Sequence, residues 1–355
     1  MLSYAFYRLP YSDKCTAVIQ SDGAPMHLGS YSDMNSRTGF VVAPFTITSD
    51  EPLLLICPDR VEHFALDDVS GLALLRSVTA STSLCGVSAM PVSAVSRSAY
   101  ASAFAACHGK LLSGEFEKIV LSRRSVVTIP ETAPLHELFL RACDMYPRAF
   151  VVLVSSAACG TWLAASPEIL LSGDGEKWRT VALAGTMGYD DYLAEGEWSV
   201  KNRMEQRCVA EYIGDCLRCF ADDVTEGDPY TARAGDVVHL RSDFSFGLSD
   251  SAGIGDVVAA LHPTPAVCGL PKSATRRFLE AVEPAPRGYY SGFMGPLAVG
   301  GDTHLYVSLR CMRMASGFCV LYAGGGLLKD SVEEMEWDET EAKMDTMRKV
   351  VDGKQ

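Results

Sequence analysis

Short apolar runs of strand length recur along this chain almost from end to end, and no regular βαβ alternation links them. FVVAPFTI, PLLLIC, KIVLSR, AFVVLVSS, TWLAAS, EILLSG, LYVSLRC and FCVLYAG are rich in β-branched, leucine and aromatic residues and are bounded by Gly, Ser, Asp or Pro, as strands are. Helical patterns fill only about 98–112, 133–145, 194–221, 252–261, 272–282 and 334–352, and no GxGxxG opens any of them. Such a chain is expected to be α+β, with large antiparallel sheets packed together and helices around them, instead of a nucleotide-binding parallel sheet. Residues 1 to about 80 read as strands and turns, and 78–96, rich in Ser, Thr, Ala and Gly, as a loose connection. One large domain is expected, with 1–95 supplying N-terminal strands and a linker and 96–355 carrying the chemistry.

Charge narrows the classes of partner. Lys and Arg number 31 against 44 acids, a net charge of −13, which argues against a surface that tracks nucleic-acid phosphates. An anionic substrate would therefore have to meet positive charge placed locally. No run approaches the roughly 18 apolar residues of a membrane span, and the N-terminus lacks the basic-then-apolar pattern of a signal peptide. The 12 cysteines form no framework, and the Cys216–Cys219 CxxC lacks a second ligand pair, so they read as reduced thiols in a cytoplasmic protein.

The residues that chemistry would need crowd into the last quarter: LHPTPAVCG, EPAPRGYYSG, VSLRC, LYAGGG and EMEWDETEAK. Glu336, Glu339 and Lys343 are spaced to share one helical face, which is either a solvated stripe or part of a site. Gly324, Gly325 and Gly326 precede that helix as an expected turn whose amides can approach an anion, and Arg310 ends an alternating strand where it can grip a carboxylate. Glu205 sits in the helical pattern NRMEQRCVAEYIGDCL. With Glu339 it would suit a magnesium ion, which takes one or two carboxylates beside water and substrate. Lys118 begins a strand, either as an exposed lysine or as a base whose pKa burial has lowered. Glu168, after Ser166-Pro167, is a candidate general acid.

KIVLSR, AASPEILLS, ALAGTMG, LHPTPAVCG, EPAPRGYYSG, LRC, LYAGGG and EWDETEAKM, in this order over about residues 97–350, resemble the chorismate-utilising enzymes, isochorismate synthases above all. The resemblance implies that Lys118 activates water and that Glu168 protonates the departing C4 hydroxyl. It implies that Glu205 and Glu339, with Glu336 beside them, hold Mg2+. It also implies that Arg310, Lys343, Thr186 and the amides of Gly324 and Gly325 hold the substrate's carboxylates, with His262 near the reacting ring. Relatives that use ammonia usually carry Gln in place of Lys118, and those that form a lysine adduct carry that lysine in place of Ala184. The expectation is therefore water addition to chorismate, feeding menaquinone synthesis, with no glutamine amidotransferase partner. A salicylate synthase, which goes on to eliminate pyruvate, and a non-catalytic chorismate-binding protein are the alternatives. Gln206 and Asn202 depart from the family pattern, where histidine and an acid are common, which bears on the metal's surroundings.

Overall fold

The computed structural model describes residues 2–82, 84, 93–130, 134–234, 237–248 and 253–353. Its strands form two large sheets in which every pairing is antiparallel. The first runs, edge to edge, through Gly269–Leu270, Lys118–Thr128, Phe318–Leu327, Cys311–Ala315, Gly160–Ser166, Phe150–Ser156, Ser3–Arg8, Lys14–Gln20 and Arg60–Ala65. The second runs through Thr225–Glu226, Val237–Phe246, Trp178–Gly188, Ile169–Gly173, Thr303–Val307, Phe293–Leu297, Gly39–Ala43, Leu53–Ile56 and Met26–Leu28, with Tyr230–Ala234 also paired to Val237–Phe246.

Both faces of these sheets are covered, which is why so many strands are apolar throughout rather than alternating. In Ser3–Arg8, Ala5 and Tyr7 point between the sheets to meet Phe40, Val42 and Phe150, while Tyr4 and Phe6 point outward. The outward face is closed by the helices Leu135–Met145 and Glu333–Asp352 through Leu138, Phe139, Met344 and Met347. The second sheet's outer face is closed by Val200–Leu217 and Ile254–Leu261. The result is a helix–sheet–sheet–helix sandwich. Each fully buried Leu or Phe in it adds about 1.5–3 kcal/mol of transfer free energy.

Two departures from the sequence reading matter. Val69–Ala80 is a helix, not a strand: Asp68 caps it by accepting from the Gly71 amide at 2.8 Å, and Gly71, Leu75 and Thr79 bury one face at helical spacing. Part of the loose connection, 85–92, lies outside the described residues. The run LYVSLRC is not one strand. Thr303–Val307 belongs to the second sheet and Cys311–Ala315 to the first, so the chain passes between sheets at Ser308–Arg310. A second passage lies at Pro167–Glu168, between Gly160–Ser166 and Ile169–Gly173. Arg310 and Glu168 therefore stand where the chain crosses from sheet to sheet. No helix among the described residues is long and apolar enough to cross a membrane.

Candidate active site

A narrow cavity opens beside these crossings, lined by Glu168, Thr186, Glu205, His239, Tyr290, Arg310, Gly324, Gly326 and Lys343. Glu168 is held by its backbone: its carbonyl accepts from Val307 N at 3.0 Å, and the neighbouring Ser166 hydroxyl donates to Val307 O at 2.6 Å. Burial pushes its carboxyl up to about 8, against the opposing pull of Lys118, Lys343 and Arg241. At neutral pH Glu168 is predominantly a protonated acid.

Lys118 has no exposed surface, and its Nζ lies 2.8 Å from Glu205 Oε1, near enough for an ion pair but not aligned as a directed hydrogen bond. Glu205 also accepts from the Gly185 amide at 3.1 Å. Burial raises the Glu205 carboxyl, but the charge of Lys118 and then of Lys343 and Lys201 overrides this, so it lies below its ordinary value and is ionised. Gly185 has a left-handed φ of 75°, and a Cβ there would stand 3.1 Å from Asn202, so glycine allows the helix to approach this closely.

Two more pairs continue the network. Lys201 donates to Glu336 Oε1 at 2.8 Å, and Lys343 donates to Glu339 Oε1 at 2.6 Å and to the Gly324 carbonyl at 2.9 Å. Glu336 is raised, first by burial and then by the charge of Glu339, and its Oε2 is buried with no hydrogen-bond partner among the described residues. The glycines sit inside Phe318–Leu327, opposite Val120–Ser122, and not in a turn as the sequence reading expected. Gly324 and Gly326 line the cavity, whereas a Cβ on Gly325 would face Glu336 Oε2 at 3.0 Å, as strand alternation requires. A Cβ on Gly326 would meet Glu205 Oε1 at 2.2 Å, so this strand is kept bare where carboxylates from two helices approach it.

The donors fit a magnesium ion. They are carboxylate oxygens, one of them orphaned, and Mg2+ takes one or two carboxylates while keeping waters or substrate oxygens. They do not form a preassembled three-carboxylate cluster: among the described residues no three His, Cys, Asp or Glu side chains converge that way, and each glutamate is paired with a lysine instead. The departures at Gln206 and Asn202 have local explanations. Gln206 donates to Ser242 Oγ at 3.0 Å, and Asn202 packs beneath Gly185.

Arg310 adopts a left-handed φ of 46°, costly for a residue with a side chain and pinned by Ala165 N donating to its carbonyl at 3.0 Å. Its guanidinium donates to His239 Nε2 at 3.2 Å. That fixes the histidine with its proton on Nδ1, donated to Gly185 O at 3.0 Å, with Thr186 Oγ1 3.3 Å from the same nitrogen. Burial, then Arg310 and Lys343, hold His239 neutral, at about 3, while burial lowers Arg310 to about 10, which leaves it charged at neutral pH. Arg310 thus lines the cavity with a positive charge that no carboxylate among the described residues binds.

The structure brings Glu168, Glu205, Thr186, Arg310, Gly324 and Lys343 to one cavity; Lys118 is not among the lining residues and lies against Glu205, which is. Glu336 and Glu339 approach through Gly325 and Lys343. His262 is not among the cavity's lining residues. Its ring packs edge-on against Tyr31 and Phe293, its nitrogens have no hydrogen-bond partner among the described residues, and burial lowers it to about 3. His239 lines the cavity instead. The sequence reading missed it together with its strand, although VVHLRSDF has the alternation that marks one. Lys201, one turn before Glu205, was missed likewise.

A sequence profile described as chorismate binding enzyme matches residues 70–352. Isochorismate synthase DhbC of Bacillus subtilis (strain 168) is 33% identical over 253 residues, 67% of this chain and 64% of that one. Isochorismate synthase MenF of Escherichia coli (strain K12) is 32% identical over 247 residues, 66% and 56% of the two chains. The chain thus spans less than two thirds of these curated relatives. A crystal structure of DhbC from Bacillus anthracis superposes with a TM-score of 0.81 over 99% of this chain and 96% of that one, at 22% identity, so the N-terminal strands share its fold. By its sequence the chain belongs to the chorismate binding enzyme family.

Proposed function

We propose that this protein is an isochorismate synthase, converting chorismate to isochorismate by adding water at C2 while the C4 hydroxyl leaves. The observation that carries this reading is a cavity lined by a buried acid, Glu168, whose carboxyl burial raises to about 8, and by Arg310, which has no ion-pair partner among the described residues, with the buried Lys118 held against Glu205. Arg310 and Lys343 are the cations for the two substrate carboxylates, and Thr186 and the Gly324 backbone complete that wall. Lys118 takes the proton from water. Its Nζ lies 2.8 Å from Glu205 Oε1, so it is free to meet a water only as Glu205 turns to another cation. Glu168 gives its proton to the departing hydroxyl. Neutral His239 holds Arg310 in place without adding charge.

Glu205 and Glu339, with the orphaned oxygen of Glu336 beside them, would hold Mg2+. When bound, it supplies charge neutralisation for the substrate carboxylate. The cavity's free volume of about 60 Å³ holds a few waters at roughly 10–15 Å³ each, so its walls must move apart to admit a ring. With water as nucleophile, no ammonia-supplying partner is needed. We infer menaquinone synthesis as the product's destination, with a siderophore route as the second reading, because the Bacillus subtilis relative is named DhbC and not MenF. Incubation with chorismate, with and without magnesium, tests the activity: isochorismate alone supports it, and salicylate with pyruvate moves the protein to salicylate synthase.

A further inference from the structure

A second cleft, of about 500 Å³, shares Pro167, Leu183 and His239 with the reaction cavity. Its described lining includes Arg148, Arg179, Arg233 and Arg241 and not one Asp or Glu. In a chain with 44 acids and a net charge of −13, that is a strong local reversal of sign. Arg148 and Arg179 are exposed and have no ion-pair partner among the described residues, while Arg241 is paired with Asp243 at 2.5 Å.

Strand register connects the two spaces. The inter-sheet core ends at the Phe150–Tyr306 stack, with ring centroids 4.4 Å apart, and Tyr306 also lines the cleft. On Val237–Phe246, His239 and Arg241 are two residues apart and so share a face, one in the reaction cavity and the other in the cleft about 7 Å along. On the partner strand Leu183 lies opposite Arg241. The irregularity at Gly185 then resets the register so that Thr186 meets His239. Arg179, Val181 and Leu183 continue that face outward.

We propose that this cleft is the electrostatic entrance through which the dicarboxylate substrate reaches the reaction cavity. The inference rests on the reading of the cavity as a chorismate site. Its volume suits a ring of that size, and Arg148 and Arg179, exposed and without an ion-pair partner among the described residues, raise the local concentration of an anion that the rest of the surface repels.

Stopped-flow association of chorismate, in the presence of magnesium and across a range of NaCl, tests this on wild type and on an Arg148→Ala/Arg179→Ala double variant. Neither arginine belongs to the catalytic machinery, and thermal melts check that the variant folds. Association should be roughly tenfold slower in the variant at low salt and much less salt-dependent, with kcat unchanged. Unchanged association and salt dependence alongside normal turnover would overturn the entrance while leaving the enzyme reading intact. Arginine-dependent association without turnover would support the entrance and overturn the enzyme reading. Absence of chorismate binding would overturn both.

Discussion

Lys118 Nζ lies 2.8 Å from Glu205 Oε1, with the lysine wholly removed from solvent. Neither group survives the loss of the other without cost. Lys118→Ala leaves a carboxylate buried among groups arranged for its charge, a loss of about 3–5 kcal/mol. A Lys118→Met/Glu205→Gln double variant recovers most of that stability, and neither protein turns over chorismate. Urea unfolding with parallel assays checks this; a Lys118→Ala protein as stable as wild type would mean that the pair is not a buried one.

Glu168 links activity and stability to pH in the same direction. Its folded value of about 8 stands above its ordinary 4.5, so the folded state holds a proton that the unfolded chain releases. Its contribution to stability is complete below 4.5 and is lost as pH rises through about 8. In the proposed mechanism the acid form is the active one, so kcat should fall across the same upper limb. Glu168→Gln should abolish turnover yet melt at a higher temperature than wild type near about pH 9, because no charge then needs to be buried. Equal melting temperatures at alkaline pH would contradict the assignment.

Arg310→Ala should raise KM for chorismate by roughly 10–100-fold, the worth of one charge-assisted contact, with a smaller effect on kcat. Arg310→Lys should restore only part of it, since an ammonium lacks the planar fork. Arg310→Gly should lose as much binding as Ala but be about 1 kcal/mol more stable, because glycine accepts the φ of 46°. Steady-state kinetics and thermal melts separate the two effects.

Magnesium should raise the melting temperature of the wild-type protein with no substrate present, and calorimetry should show Glu339→Gln binding it roughly tenfold or more weakly. Lys201→Met removes the cation that occupies Glu336 and should tighten magnesium binding. Identical affinities in all three proteins would place the ion elsewhere.

The antiparallel α+β architecture was legible because apolar runs of strand length carry their own signal. The helix Val69–Ala80 was not: its buried positions are Gly71, Leu75 and Thr79, too small or too polar to mark a face. That Glu168, Glu205, Arg310 and Lys343 would meet at one cavity, with Lys118 against Glu205, could be expected only from family motifs, since no spacing in the chain announces contacts made between sheets. The glycines were misread as a turn because ligand approach and strand pairing both favour a bare backbone, and only register tells them apart. His262 was favoured over His239 because it sits in a conspicuous motif. The two differ in three dimensions: one ring is packed against Tyr31 and Phe293, and the other contacts Arg310 and Gly185 in the cavity.

The central claim is that water, activated in the wall where Lys118 meets Glu205, adds to the ring while the C4 hydroxyl leaves. Incubating the protein with chorismate and magnesium in water labelled with heavy oxygen, then measuring product mass, tests it most directly. The account predicts isochorismate carrying one heavy oxygen, and none from the Lys118→Ala protein. Isochorismate without the label would show that the original hydroxyl migrates and that Lys118 activates no water.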